Sequence, residues 1–398
     1  MAEPIARPPL FTRAFVLLGV ADLAYFTSVG IAIVALPLYV TGPIGSDEAG
    51  AGLAFGAFAI TALLCRPFAG RYSDRLGRRP LLLLGAVLAA VGMLLMPYAG
   101  SLAPVVLLRL LQGVGEAAFF VSGFALLADI APAERMGEAL SYNSLGLYLG
   151  IAFGPPIGEW LLDTGGFTTA WVGAGVLAGV AGAVVLTLPE PERSFDAADE
   201  GHGRLIHRPA LPLTLGFMTA LVAMSGFLAF VALHADEIGM RSTSLALFVY
   251  GCVVVACRIV FARVPDRLPL LPLAASSLAV MGVGLVVIGA WTTTAGLLVG
   301  TVLTALGITF VTPSFFAAIF ATARPSERGA ASGTASAALD LGLGAGPIVL
   351  GLVARDQGIP WAFAVAGGVA FAGALWTAYL ARPRVDVTSG RQHAPRSA

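Results

Sequence analysis

Twelve apolar stretches follow one another along this chain, at 13–40, 51–70, 80–99, 102–130, 137–162, 168–188, 210–234, 243–264, 270–291, 294–322, 330–354 and 360–381. Turns carrying Pro, Gly and charge divide them. Most reach the ~20 residues that an α-helix needs to cross the hydrocarbon of a bilayer. In that solvent every backbone N–H and C=O must be satisfied, and for continuous apolar runs of this length the helix does so. The expected fold class is therefore all-α integral membrane, with twelve transmembrane helices. Charged residues make up 12% of the chain, against ~25% in ordinary soluble domains, which argues against a large soluble enzyme. Net charge is zero, so no nucleic-acid footprint is present.

The second constraint is an internal repeat. Cys65, Arg66, Arg71, Asp74, Arg75 and Leu76 are matched by Cys257, Arg258, Arg263, Asp266, Arg267 and Leu268, each 192 residues further on. A looser echo relates Pro132-Ala133-Glu134-Arg135 to Pro325-Ser326-Glu327-Arg328, and Gly154-Pro155 to Gly346-Pro347. Identities at one offset, in the same place between apolar segments, point to a duplicated half-chain. The expected organisation is a six-helix bundle at 1–188, a polar cytoplasmic linker at 189–208, a second six-helix bundle at 209–381 and a tail at 382–398. Two pseudo-symmetric six-helix halves result.

Between the second and third segments, Gly70, Asp74, Arg75, Gly77, Arg78 and Arg79 complete the pattern G-x-x-x-D-R-x-G-R-R. This run resembles the loop signature of the major facilitator superfamily, the transporters in which two six-helix halves bind a solute between them near the membrane midplane. An ordinary basic loop would account for the arginines but not for the glycines and the aspartate. The resemblance implies that these six residues, with Asp129 at the end of the fourth segment, form a gate held by charge. Asp129 is expected to join Arg78 and Asp74.

All 23 basic residues are arginine. With both termini in the cytoplasm, eighteen arginines fall inside, Arg241 and Arg355 fall outside, and Arg66, Arg109 and Arg258 lie within segments. That asymmetry obeys the positive-inside rule. The expected location is a bacterial cytoplasmic membrane, multi-pass, with both termini cytoplasmic. The first segment is too long for a signal h-region and is read as a retained helix. Cys65, Cys252 and Cys257 lie in apolar segments and no structural disulfide is expected.

Charges within hydrocarbon cost ~2.5–3.5 kcal/mol each even on a lenient scale, so each needs a partner or a purpose. The candidates are Asp22, Arg66, Arg109, Glu116, Arg258 and Asp340. Three acids against three bases allow full neutralisation within the bundle. The fourth segment reads Leu107-Leu108-Arg109-Leu110-Leu111-Gln112-Gly113-Val114-Gly115-Glu116, similar to the family motif l-x-x-R-x-x-q-G-x-g that is linked to proton coupling. Arg109, Gln112 and Glu116 fall on one face of a helix. An arginine that merely packs and snorkels to the surface is the plainer alternative.

The fifth segment carries Gly146, Gly150, Gly154 and Gly158 at four-residue intervals, a small-residue stripe that lets a partner helix approach. With Pro155, which together with Pro156 should bend or interrupt the helix, it resembles the antiporter motif g-x-x-x-G-P-x-x-G-G. Gly150, Gly154, Pro155 and Gly158 fit, while Glu159 stands where the motif has its last glycine. Generic close packing would also produce such a stripe.

Asp22 and Asp340 lie nine to eleven residues into their segments, near mid-membrane at ~1.5 Å per residue. Desolvation favours the neutral form of a carboxyl group, which suits reversible protonation. By analogy with the family fold, Arg66 is expected to pair with Asp340, and Arg258 to face the fifth helix near Asn143. A static ion pair would serve structure alone. Aromatic residues Tyr25, Phe26, Phe119, Phe120, Phe227, Phe230, Phe315 and Phe316 occupy the four segments that line the family's cavity, although membrane aromatics more often simply pack.

No nucleotide-binding motif occurs and no lysine could complete one. Neither a metal site nor any cofactor is expected, and no enzyme activity. The four histidines, His202, His207, His234 and His393, are scattered among loops, a helix end and the tail. The expected function is secondary active transport by alternating access: export of a small hydrophobic or amphipathic compound in exchange for protons, by a monomer among membrane lipids. The nearest rival is an importer or facilitator of a nutrient such as a sugar, organic acid or siderophore. A polytopic enzyme or sensor would need a clustered catalytic set or an appended soluble domain, and neither is visible.

Overall fold

A computed structural model describes residues 9–132, 135–189, 207–261, 268–324 and 327–382. Eleven α-helices fill the described residues. In the first half they are α1 Arg13–Thr41, α2 Glu48–Leu76, α3 Arg78–Leu95, α4 Leu102–Ile130 and α5 Met136–Val185. In the second half they are α6 Leu211–Glu237, α7 Leu245–Val260, α8 Leu270–Ala290, α9 Thr294–Ala321, α10 Arg328–Gln357 and α11 Ile359–Leu380. Ten of these are long and apolar enough to cross a membrane, and Leu245–Val260 is a shorter apolar helix.

The expected twelve segments differ from these helices at two places. The fifth and sixth both fall within α5, which is two helices joined without a loop at a kink at Gly166 (φ 71°, ψ −170°), inside the break expected at 163–167. A side chain there would be strained. The chain doubles back at this point, because Gly173 beyond it packs against Leu161 before it. Pro155 and Pro156 do not interrupt the helix; α5 runs through them. The eighth segment ends at Val260, and Arg263, Asp266 and Arg267 of the repeat lie outside the described residues, as do 190–206 of the linker and 383–398 of the tail.

Local sequence explains several helix starts. Thr12 and Thr293 cap α1 and α9 by accepting from Phe15 and Gly296 N–H, and Asp47 accepts from Gly50 N–H at 2.8 Å to start α2. Such caps satisfy N–H groups that the first turn leaves free. Gly77, with φ 105°, both ends α2 and starts α3 in a one-residue turn, as Gly358, with φ 92°, does between α10 and α11. A non-glycine residue there would be strained.

The repeat is visible as packing. In the first half α1 lies on the first part of α5, α2 and α3 on α4, and α3 on the second part of α5; in the second half α6 lies on α10, α7 and α8 on α9, and α8 on α11. Each pair has its counterpart. The halves meet along two seams, α2 against α10 and α5 against α7, with α1 touching α6 between them. We call the end carrying the α2–α3 turn the near end and the opposite end, carrying the α1–α2 and α6–α7 connections, the far end. α1 and α6 are each 72% buried along their spans, against 44% for α8 and α11. Large apolar side chains such as Leu64, Leu107 and Leu375 point outward, as a lipid-facing surface requires.

Candidate functional site

Three of the charged side chains within the bundle, Arg66, Asp340 and Arg258, lie on the seams, and Glu116 reaches one of them. On the α2/α10 seam the Arg66 guanidinium grips Asp340 with two donors: Nη2 reaches Oδ1 at 2.8 Å and Nε binds Oδ2. The same Nη2 stands 3.5 Å from Oε1 of Glu116 on α4, whose other oxygen is buried without a hydrogen-bond partner. Phe120, one turn further along α4, lies under the guanidinium at 4.8 Å. Asp340 is 2% exposed. Bidentate geometry of this kind is the strong form of an arginine–carboxylate contact. Arg66 and Asp340 thus lie where the family analogy expected them.

Arg258 faces the fifth helix as expected, but a different residue of it. It lies on the α5/α7 seam, but on Tyr148 rather than Asn143: Nη2 donates to the phenol oxygen at 2.5 Å while the guanidinium covers the ring at 4.1 Å. Residue 148 is five positions, about one and a half turns, beyond Asn143 along α5, and its amphipathic ring offers both a π face and an acceptor. The repeat offset of 192 residues relates Arg66 to Arg258 and equally relates Tyr148 to Asp340. The two seams therefore carry the same contact in two chemistries, ionic on one and aromatic on the other. Extending the offset beyond the identical residues would have located Tyr148 from sequence.

The expected neutralisation of three bases by three acids does not occur. Among the described residues Arg66 faces two acids, whereas Arg109 and Arg258 pair with none. Arg109 is 9% exposed and points inward. Its Nε donates to the carbonyl of Ala54 at 3.0 Å, Nη2 to that of Phe55 at 3.3 Å, and Nη1 to Gln112 Oε1 at 2.7 Å, with the Phe58 ring at 4.7 Å. A planar fork can reach three acceptors at once. The polar stripe of α4 thus meets its neighbours: Arg109 and Glu116 turn to α2, and Gln112 reaches Met93 on α3.

Asp22 on α1 is 4% exposed and has no cationic partner among the described residues. With Asn143 and Ser144 of α5 and a wall of Phe26, Phe119, Phe120 and Phe124 it lines a cavity of about 40 Å³. Phe120 therefore touches both the Asp22 cavity and the Arg66 guanidinium. Among the described residues Asn143 Oδ1 is also buried without a partner. Of the aromatics expected to line a cavity, Phe26, Phe119 and Phe120 do so here, whereas Phe227, Phe230 and Phe315 are at most 1% exposed and Tyr25 stacks on Phe119 at 3.9 Å.

At the near end, Arg78 Nε donates to Asp129 at 2.9 Å, and Nη1 to Asp74 and to Ser73 at 3.2 Å. Arg79 donates to the Leu186 carbonyl. Arg75 is exposed, and Gly70 has open space toward Val121. Along α5 the glycine stripe faces α1. Gly146 lies against Asp22, Gly150 against Phe26 and Thr27, and Gly158 against Ile31 and Val34. A Cβ on Gly154 would stand 2.5 Å from the Gly30 Cα, closer than real carbons approach. Glu159, one residue beyond the stripe, reaches instead to Ser242, Thr243 and Ser244 of the other half.

Comparison with known proteins agrees with this architecture. The model of a family described as Major Facilitator Superfamily matches residues 18–296 and 244–397. The MFS-type transporter YhhS of Escherichia coli O6:H1, itself described as uncharacterized, is 28% identical over 405 residues, covering 97% of this chain and 98% of the relative. The similarly described STM4428 of Salmonella typhimurium is 30% identical over 369 residues, covering 88% and 92%. The crystal structure of the nucleoside transporter NupG superposes with a TM-score of 0.79 at 13% identity, covering 93% of this chain and all of that one. A family match across nearly the whole length, two bundles related by a repeat and the intact near-end motif agree: the chain belongs to the major facilitator superfamily of membrane transporters.

Proposed function

We infer that this transporter exports a small hydrophobic or amphipathic compound in exchange for protons, by alternating access of its two halves. The observation that carries the reading is the charge group on the α2/α10 seam. Arg66, Glu116 and Asp340 join both halves through one guanidinium, so a change of protonation there acts on the contact that alternating access must break. Asp22, buried without a cationic partner beside that group, is the best-placed proton carrier. Arg109 and Gln112 hold the helices around it, and Arg258 ties the second seam. Gly70, Asp74, Arg75, Gly77, Arg78, Arg79 and Asp129 form the near-end gate. Gly150, Gly154, Pro155 and Gly158 favour export, as in the antiporter motif they resemble. The setting is a bacterial cytoplasmic membrane with both termini inside, the protein working as a monomer with protons and solute as its partners.

The test is the pH inside everted vesicles energised by respiration, on adding a panel of lipophilic compounds. Collapse of the gradient by one compound, lost in Asp22→Asn, supports proton antiport and names a substrate class. Uptake of a nutrient into whole cells, with no compound discharging the gradient, reverses the direction and favours the importer.

A further inference from the structure

We propose that Glu159 is a latch that holds the far end shut between the two halves. The side chain belongs to α5 in the first half, yet among the described residues every hydrogen bond it makes goes to the second. Oε2 accepts from Ser242 Oγ and Ser244 Oγ, both at 2.6 Å; Oε1 accepts from Thr243 N–H at 2.5 Å and Thr243 Oγ1 at 3.2 Å. Three consecutive residues thus supply four donors to one carboxylate. They lead directly into α7, which begins at Leu245, so the carboxylate also faces the positive end of a helix dipole. Charge-assisted hydrogen bonds are the stronger kind.

The repeat supplies a comparison within the same molecule. The offset of 192 residues relates Glu159 to Gly351 and Ser242–Ser244 to Gly50–Gly52. There, on the other seam, the backbones touch. A Cβ on Gly52 would stand 2.1 Å from the Pro347 carbonyl oxygen, and one on Gly351 2.8 Å from that of Glu48. One seam therefore closes its far end by glycine packing with no side chain between. The other keeps a cleft of about 310 Å³ beside Trp160 and Leu245, which packing does not seal and which Glu159 bridges. The departure from glycine at position 159 supplies that bridge.

A latch must also release. When the far end parts, water replaces the four donors, so the net effect of losing the carboxylate is modest although the contact is specific. The latch rests on the alternating-access reading, and its test reads conformation rather than transport. In the full chain with Cys65, Cys252 and Cys257 changed to Ser, spin labels at Ser101→Cys and Thr292→Cys report the far-end separation of the halves in lipid nanodiscs. We expect Glu159→Ala to raise the ratio of long to short distances roughly tenfold, equivalent to ~1.4 kcal/mol, and Glu159→Gln to raise it less. Ser242→Ala with Ser244→Ala, which leaves α5 and the two Thr243 donors untouched, should give a smaller shift in the same direction, and combining it with Glu159→Ala should give little more than Glu159→Ala alone, because that change already removes the whole contact. Two interconverting distances that ignore all these variants overturn the latch and leave alternating access standing. A fully additive combination overturns the latch as well. One distance that nothing moves overturns both.

Discussion

Replacing Asp340 by Ala should destabilise the joined halves by about 3 kcal/mol, and the size follows from what Arg66 keeps. Breaking a buried ion pair by removing one partner costs ~3–5 kcal/mol, because the other charge is left uncompensated. Here the lower end applies. The Arg66 side chain is 12% exposed, Glu116 Oε1 remains 3.5 Å from Nη2, and Phe120 stays beneath the guanidinium. Arg66→Ala should cost a similar amount. The double variant should cost less than the sum of the two, by a coupling of about 2 kcal/mol, since contacting residues in one charge network are not additive. The measurement is an equilibrium unfolding titration with SDS in mixed micelles for the wild type, both single variants and the double. A coupling below about 0.5 kcal/mol, which is what well-separated sites show, would refute the claim that this pair ties the halves.

Three further outcomes can be checked by the same titration. Arg109→Lys should cost about 2 kcal/mol, because an ammonium cannot reach the carbonyls of Ala54 and Phe55 and the Gln112 amide together; a neutral result would mean that the fork is not what joins α4 to α2. Gly154→Ala should cost roughly 1–3 kcal/mol by overpacking against Gly30, whereas Gly19→Ala, with nothing within 4 Å of the new Cβ, should be neutral. Tyr148→Phe should lose about 1 kcal/mol with the phenol hydrogen bond and keep the stacked ring, while Tyr148→Leu, which removes both, should lose clearly more.

The fold was legible because hydrocarbon permits so little. Long apolar runs must be helices, and the offset linking Arg66 to Arg258 announced two halves before any packing was seen. Helix ends were less legible. The reversal at Gly166 falls inside the break expected at 163–167, but which of Gly165 and Gly166 takes the left-handed conformation is not encoded in those residues. Within the site, Arg66 and Asp340 were found by analogy, since their partnership spans 274 residues and no local pattern encodes it. Arg109 shows why counting charges misled. Backbone carbonyls of a neighbouring helix can accept from a guanidinium in place of carboxylates, and they do not appear in a tally of acids and bases. Glu159 was visible only as a misfit in a motif, because its donors come from the α6–α7 connection, more than eighty residues away.

Arg109 fastens α4 to α2 through two main-chain carbonyls, and this bears on how the seam can part. Glu116 rides on α4, so it travels with α2 and with Arg66; Asp340 rides on α10 and does not. Separation of the halves removes the tight partner of the guanidinium and leaves the loose one, 3.5 Å away and with an oxygen already free. Arg66 is then never bare in the membrane: its charge passes from a carboxylate in the facing half to one in its own. The motion exchanges counter-ions and does not strand a cation in oil.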